Sequence, residues 1–343
     1  MQLLTRFDPF GKFLLLTIFS IFVVVGLMSG GIFVDSYNLQ SMGLQMPEIA
    51  LLSVAMMLAM MSGNSGIDLS LVGIANLSGI VGGIVATATA GDQAPLLFTL
   101  VFISSAIMTG VACGLVNGFL IAVIGYTPIL ATLGTQLVYL GIAVALTDGA
   151  AMLFKYSEEF SWIGNALIFG VPVSLSLFGL IAIALGALLT ATAFGKRLIL
   201  MGTNPIASRY VGISNSKITV TVYLLCGVLA AMAGILMSSR ASSVKWDYGN
   251  SYILIAILTV VMAGVSPMGG RGRIVNVVLA SIALQLLSSA FSILGMSSFL
   301  KDFTWGALLI VSIMATRMLS LREIFALVAK RDAVATPVGK GGS

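Results

Sequence analysis

There is no histidine in the 343 residues, and there are only 12 acidic residues, 17 Lys or Arg, eight prolines and two cysteines. Without histidine, the chain has neither a histidine base to activate a serine nor a His-Glu-x-x-His zinc helix. Asp68 has no second intramembrane aspartate with which to form an acid pair. Cys113 and Cys226 both sit inside apolar runs, so neither a disulfide framework nor a cysteine metal site is indicated, and both read as packing residues. Charged residues are only 8% of the chain, too few to cover a water-facing surface. Hydrophobic residues are 59% and mean hydropathy is +1.10, so lipid is the expected solvent. The fold class is all-α, a single polytopic membrane helix bundle. In this setting the net charge of +5 is an orientation signal rather than a sign of nucleic acid.

About ten transmembrane helices are expected, at residues 13–30, 44–62, 71–90, 95–124, 127–149, 171–193, 218–239, 252–265, 274–294 and 303–316. A bilayer needs about 20 apolar residues per crossing. The first run is therefore a retained helix, too long for a signal-peptide core. The fourth exceeds that length and implies tilt, extension or a break near Gly114 to Gly118, whereas the eighth is short. Residues 31–43 read as a loop without Lys or Arg. Phe154, Phe160 and Trp162 read as an interfacial belt. Residues 1–12 form a cytoplasmic segment, 13–318 the transmembrane domain and 319–343 a cytoplasmic, partly disordered tail.

Ten crossings put both termini on the same side, and the basic residues make that side cytoplasmic. Thirteen of the 17 basic residues then fall on that side: Arg6, Lys12, Lys196, Arg197, Arg209, Lys217, Arg271, Arg273, Arg317, Arg322, Lys330, Arg331 and Lys340. Lys155, Arg240, Lys245 and Lys301 fall on the other, the asymmetry that retention of loop cations produces.

The longest polar interruption is 194–217. Asn204 followed by Pro205 reads as an N-cap and first helical position, and Gly212 as a left-handed stop, enclosing about two turns. Ile206, Tyr210 and Val211 share one face while Ser208 and Arg209 point elsewhere. That pattern suits a helix lying on a membrane surface or docking into a partner's groove, and equally an ordinary loop.

Few polar groups lie within the spans: Glu48, Asp68, Asn76, Asn117, Gln136, Asn276 and Gln285. An intramembrane ionisable group is a functional candidate by default. Glu48, however, is expected near the outer end of its span, and Asp68 lies in a break, where each is solvated or caps a helix. Gly110, Gly114 and Gly118, and Gly79 with Gly83, place small residues on one face for close helix packing. Gly63-Asn64-Ser65-Gly66 resembles the serine motif of rhomboid proteases but lacks the histidine. No phosphate-binding loop ending in Lys-Ser or Lys-Thr is present, so any ATP is bound by another chain.

Several segments together resemble the permease subunit of bacterial ABC sugar importers of the ribose type. They are Gly66-Ile67-Asp68-Leu69-Ser70, Gly114-Leu115-Val116-Asn117-Gly118, and Thr127-Pro128-Ile129-Leu130-Ala131-Thr132-Leu133-Gly134-Thr135. The resemblance continues through Gly195-Lys196-Arg197, Gly202, Asn204, Ala207, Arg209 and Gly212-Ile213 to Gly269-Gly270-x-Gly272. The extra residues in 62–66, the segment 71–76, and Arg271 with Arg273 depart from the family pattern and leave the solute open.

The resemblance implies a coupling helix at Asn204 to Val211, seated in a groove of a cytoplasmic ATP-binding subunit that holds ATP and magnesium. Arg197, Asn204, Pro205, Ala207, Arg209, Tyr210 and Gly212 form its contact region. This chain itself would bind no cofactor or metal and have no catalytic site. The implied partners are that ATPase, an extracytoplasmic solute-binding protein and a second permease chain, identical or related, in the bacterial cytoplasmic (inner) membrane. Asn76, Asn117, Gln136 and Tyr139 are pathway candidates by chemistry, with helix-to-helix hydrogen bonding as the alternative. Gly66, Asp68, Ser70, Gly114, Gly118, Pro128 and Gly134 are motif residues with structural roles. A stand-alone secondary transporter or channel is the reading from a different class, and it requires an intramembrane charge network for ion coupling.

Overall fold

The computed structural model describes residues 8–90, 94–154 and 158–314. The basic residues Arg6, Lys155 and those from Arg317 onward, and the expected tail, lie outside the described residues. Eight described helices are long and apolar enough to cross a membrane: α1 Pro9–Met28, α2 Ser36–Met61, α3 Leu71–Ala90, α4 Pro95–Phe119, α5 Pro128–Thr147, α7 Val173–Ala191, α10 Asn215–Ala241 and α12 Ile274–Ile293. α4 extends through a π-helical turn, Leu120–Ile124. Shorter helices are α6 Glu158–Asn165, α8 Ala193–Thr203, α9 Pro205–Tyr210 and α11 Tyr252–Met262, with α13 over 298–314. Two antiparallel strand pairs occur outside the helices: β1 Met152–Leu153 with β4 Ser243–Val244, and β2 Leu167–Ile168 with β3 Val171–Pro172.

The ten expected spans all fall on helices, with displaced ends. α2 begins at Ser36, not near residue 44, because the Asp35 carboxylate caps it by accepting from Tyr37 N at 3.1 Å. Most of the loop expected over 31–43 is therefore helix, and Glu48 lies mid-helix. The irregularity anticipated in α4 near Gly114 to Gly118 comes one step later, as the π turn, which ends at Gly125 with φ 90°.

α2 is the innermost helix: every residue from Ala50 to Met61 is 1% exposed or less. It lies against α10, which also packs on α3 and α4. Glycines set the α4 to α10 distance. A Cβ at Gly110 would overlap the Gly227 carbonyl oxygen, one at Gly114 would lie 2.5 Å from Tyr223 O, and one at Gly118 would lie 2.9 Å from Val220 Cα. The Gly110, Gly114 and Gly118 stripe is thus spent on packing within the chain. Gly79 likewise faces α10 at Ser238, while Gly83 faces Phe154.

The expected aromatic belt is mostly interior. Phe98, Phe102, Phe154 and Phe160 form one cluster with ring centroids 4.4 to 6.1 Å apart. Of the three belt residues only Trp162 is exposed, at 50%. Phenylalanine has no polar atom to place at an interface, so Phe154 and Phe160 pack among rings instead.

Glu48 is fully buried and its pairing corrects the expectation of a solvated carboxylate. Arg240, in the last turn of α10, donates from Nε to Glu48 Oε1 at 2.6 Å and from Nη2 to Oε2 at 3.1 Å. Tyr252 OH donates to Oε2 at 3.2 Å. This fork fastens α2, α10 and α11 together.

The α4 to α10 seam gives a direct test. Gly227→Leu is expected to destabilise by at least about 1–3 kcal/mol through overpacking, lowering the midpoint of heat-induced loss of the monodisperse peak in detergent. Gly134→Ala is expected to leave that midpoint unchanged, since no atom lies within 4 Å of its would-be Cβ.

Candidate functional site

Two neighbouring features carry the chemistry: the exposed α8 and α9 surface, and a buried polar assembly beside the break between α2 and α3. Residues 194–197, expected as loop, belong to α8, whose buried side is Gly195, Leu198, Met201 and Gly202. Arg197 is exposed. The chain turns at Asn204, which has extended φ and ψ and a side-chain Oδ1 that accepts from Ile206 N at 3.1 Å and Ala207 N at 2.9 Å. Pro205 occupies the first helical position. Both groups serve the cap anticipated from the sequence.

α9 ends as anticipated at Gly212, φ 79°, with Gly212 N donating to Arg209 O and Ile213 N to Ser208 O. The inner side of this helix is fixed by polar contacts. The Ser208 hydroxyl donates to Asn215 Oδ1 at 2.8 Å, and Asn215 Nδ2 donates to Pro205 O at 2.8 Å. Only Ser208 is buried; Ala207, Arg209 and their neighbours face outward. The apolar ridge of Ile206, Tyr210 and Val211 is 70%, 88% and 72% exposed. A capped two-turn helix thus presents apolar and cationic side chains with no described residue to bury them against.

At the break, Asp68 is fully buried and so is not solvated. Its Oδ1 accepts from Ser70 N at 3.0 Å and Ser70 Oγ at 2.6 Å, the local capping role considered for it. Asn117 of α4 donates from Nδ2 to Ser70 Oγ at 2.7 Å and accepts at Oδ1 from Thr135 Oγ1 of α5 at 2.7 Å. α5 also caps the start of α3: Thr132 Oγ1 accepts from Leu69 N at 3.1 Å, and Gln136 Oε1 accepts from Gly73 N at 2.9 Å. Gly73 has no room for a side chain there, since a Cβ would collide with the Gln136 amide. These bonds satisfy amides a helix start would otherwise leave bare inside the membrane.

The other pathway candidates separate by what their polar atoms already do. Tyr139 OH donates to Cys113 O at 3.0 Å. Asn76 Nδ2 donates to Trp246 O and Tyr248 O, at 2.8 and 2.9 Å, holding the 242–251 segment against α3. Both amide ends of Asn117 are engaged. Gln136 is half-buried and its Nε2 bonds to no described residue. Pro128 opens α5, Gly66 packs on Ala59 O, and Gly134 faces open space. Arg240 as the partner of Glu48 had no signal in the sequence beyond its charge, because 192 residues separate the pair.

The sequence profile described as branched-chain amino acid transport system, permease component, matches residues 38–313. The chain belongs to this permease family. Among curated proteins, the permease is 32% identical over 268 residues to the ribose import permease protein of Escherichia coli strain K12, covering 77% of this chain and 81% of that one. It is 27% identical over 313 residues to the D-allose transport system permease protein of the same strain, covering 91% and 93%. It is 31% identical over 280 residues to the autoinducer 2 import system permease protein of Klebsiella pneumoniae, covering 80% and 81%. These are transport permeases, and with eight apolar helices they place this chain as a multi-pass protein of the bacterial inner membrane.

The cap at Asn204 predicts a local effect. Asn204→Ala is expected to cost about 1 kcal/mol of α9 stability, read as roughly fivefold faster hydrogen exchange at the Ala207 amide, with exchange in α10 unchanged.

Proposed function

We propose that this permease is the membrane-spanning subunit of an ABC importer for a sugar or sugar-like solute, and that α9 is its coupling helix. The observation that carries the proposal is the exposed ridge of Ile206, Tyr210 and Val211 on a helix whose cap, stop and inner face are all fixed. Such a helix fits a groove on a cytoplasmic ATP-binding subunit. Arg197 and Arg209, which form no ion pair with any described residue, supply charge at its rim. ATP and magnesium belong to that subunit, and the permease contributes no catalytic group. The named relatives import ribose, allose and autoinducer 2, which supports a small hydroxylated solute delivered by an extracytoplasmic binding protein.

Both termini and the α8–α9 region lie on the cytoplasmic side in this reading, and a second permease chain completes the pathway. Gln136 is the pathway residue we favour, since its Nε2 remains available to a hydroxyl. Asn76, Asn117 and Tyr139 act on the pathway by holding the walls.

Co-purification with the neighbouring ATP-binding subunit, followed by ATPase assay, tests the coupling role. The unsubstituted permease is expected to bring the subunit down. Arg209→Glu with Tyr210→Ala is expected to lower recovery at least tenfold, because aromatic and arginine anchors dominate such interfaces. Undiminished recovery and crosslinking with the doubly substituted chain would reject α9 as the contact.

A further inference from the structure

Three chain segments meet beneath the end of α8 with backbone against backbone. A Cβ on Gly202 would overlap the Met61 carbonyl oxygen and lie 2.7 Å from Gly270 N; a Cβ on Gly269 would lie 2.5 Å from both Gly202 O and Gly63 Cα. Gly270 N donates to Met61 O at 3.3 Å. Gly63, Gly269 and Gly270 have φ of 86°, 101° and 104°, so side chains are excluded by conformation as well as by space. With no side chain between them, a displacement of α8 is passed on rather than absorbed by a rotamer change.

The turn that leaves this junction, residues 62–70, ends in the Asp68 assembly and so connects to Asn117 on α4 and to Thr132 on α5. One atom there is unexplained. Asp68 Oδ2 is fully buried and has no hydrogen-bond partner among the described residues. On α10, whose Tyr223 backbone packs against Gly114 one turn from Asn117, the Tyr223 hydroxyl is equally buried and equally without a partner. These are two orphaned groups of complementary type, close enough to interact electrostatically, and an arrangement that brought them together would satisfy both.

We infer that residues 62–70 relay movement of α8 and α9 to α4 and α5, and that Asp68 is the positioning residue of the relay, held to Ser70 and through it to Asn117 in this state and taking the Tyr223 hydroxyl in the other. The inference rests on α9 being the coupling helix. It assigns a role to the Gly-Ile-Asp-Leu-Ser segment, which lies outside the α9 surface.

The experiment uses the complete transporter with its ATP-binding subunit and an environment-sensitive thiol label at one of two exposed sites. Lys196→Cys lies on α8, before the relay, and Tyr126→Cys lies in the α4–α5 turn, beyond it. The native Cys113 and Cys226 are buried. In the otherwise unsubstituted complex both labels are expected to respond to ATP with magnesium. In Asp68→Asn, Ser70→Ala and Tyr223→Phe the Lys196 response is expected to persist while the Tyr126 response falls at least fivefold. Full Tyr126 responses in these variants overturn the relay, as do equal losses at both labels, which a general loss of structure would give. Silence at Lys196 in the unsubstituted complex overturns the coupling reading instead, and the relay with it. If Asp68→Asn does not accumulate, Ser70→Ala and Tyr223→Phe decide by the same comparison.

Discussion

The close approach of α4 and α10 is the contact on which the rest of the bundle depends. In lipid, helices gain little from hiding apolar surface, so association relies on dispersion contacts and polar groups between backbones that come near. Gly110 and Gly227 bring two helix backbones into mutual contact. Once α10 is fixed at that distance, α2 and α3 fill the grooves on either side of it. Cys226 Sγ then reaches Ala55 O at 3.2 Å, and Gly234 packs on the Ala75 carbonyl. α1, α5 and the outer face of α4 carry long rows of exposed apolar residues, and α1 and α5 depend on this inner set for their positions.

Hydropathy made the fold class plain because a crossing needs a run of apolar residues of a length fixed by the bilayer. Helix ends were less legible. The residues from Ser36 to Gly43 are polar enough to read as loop, yet the Asp35 cap continues the helix through them. Phe194 to Arg197 gave the same false signal at the start of α8, where exposed lysine and arginine lie along one side of a helix whose other side is buried. Conversely, Asn204, Pro205 and Gly212 act through local backbone chemistry, which is written in adjacent residues, and these positions read correctly.

What the sequence hid was pairing at long range. Glu48 with Arg240 and Asn76 with Trp246 O each connect positions separated by 170 residues or more. No local pattern announces such partners, because a carboxylate facing water and one facing an arginine are the same letter. The polar candidates were likewise chosen by residue type, and type does not tell a side chain free to meet a solute from one whose atoms are already bonded. Asn117 and Gln136 differ in that respect: the first has both amide ends engaged, and the second keeps one.

The fork between Glu48 and Arg240 also bears on how the chain is made. Glu48 emerges from the ribosome 192 residues ahead of its arginine, and a carboxylate alone in hydrocarbon is costly. An isolated α2 at its final depth therefore carries that cost. That cost is relieved when α10 has been synthesised and brings Arg240 to Glu48. The innermost helix of the finished bundle is thus among the first made, yet the charge it carries is partnered only once α10 exists.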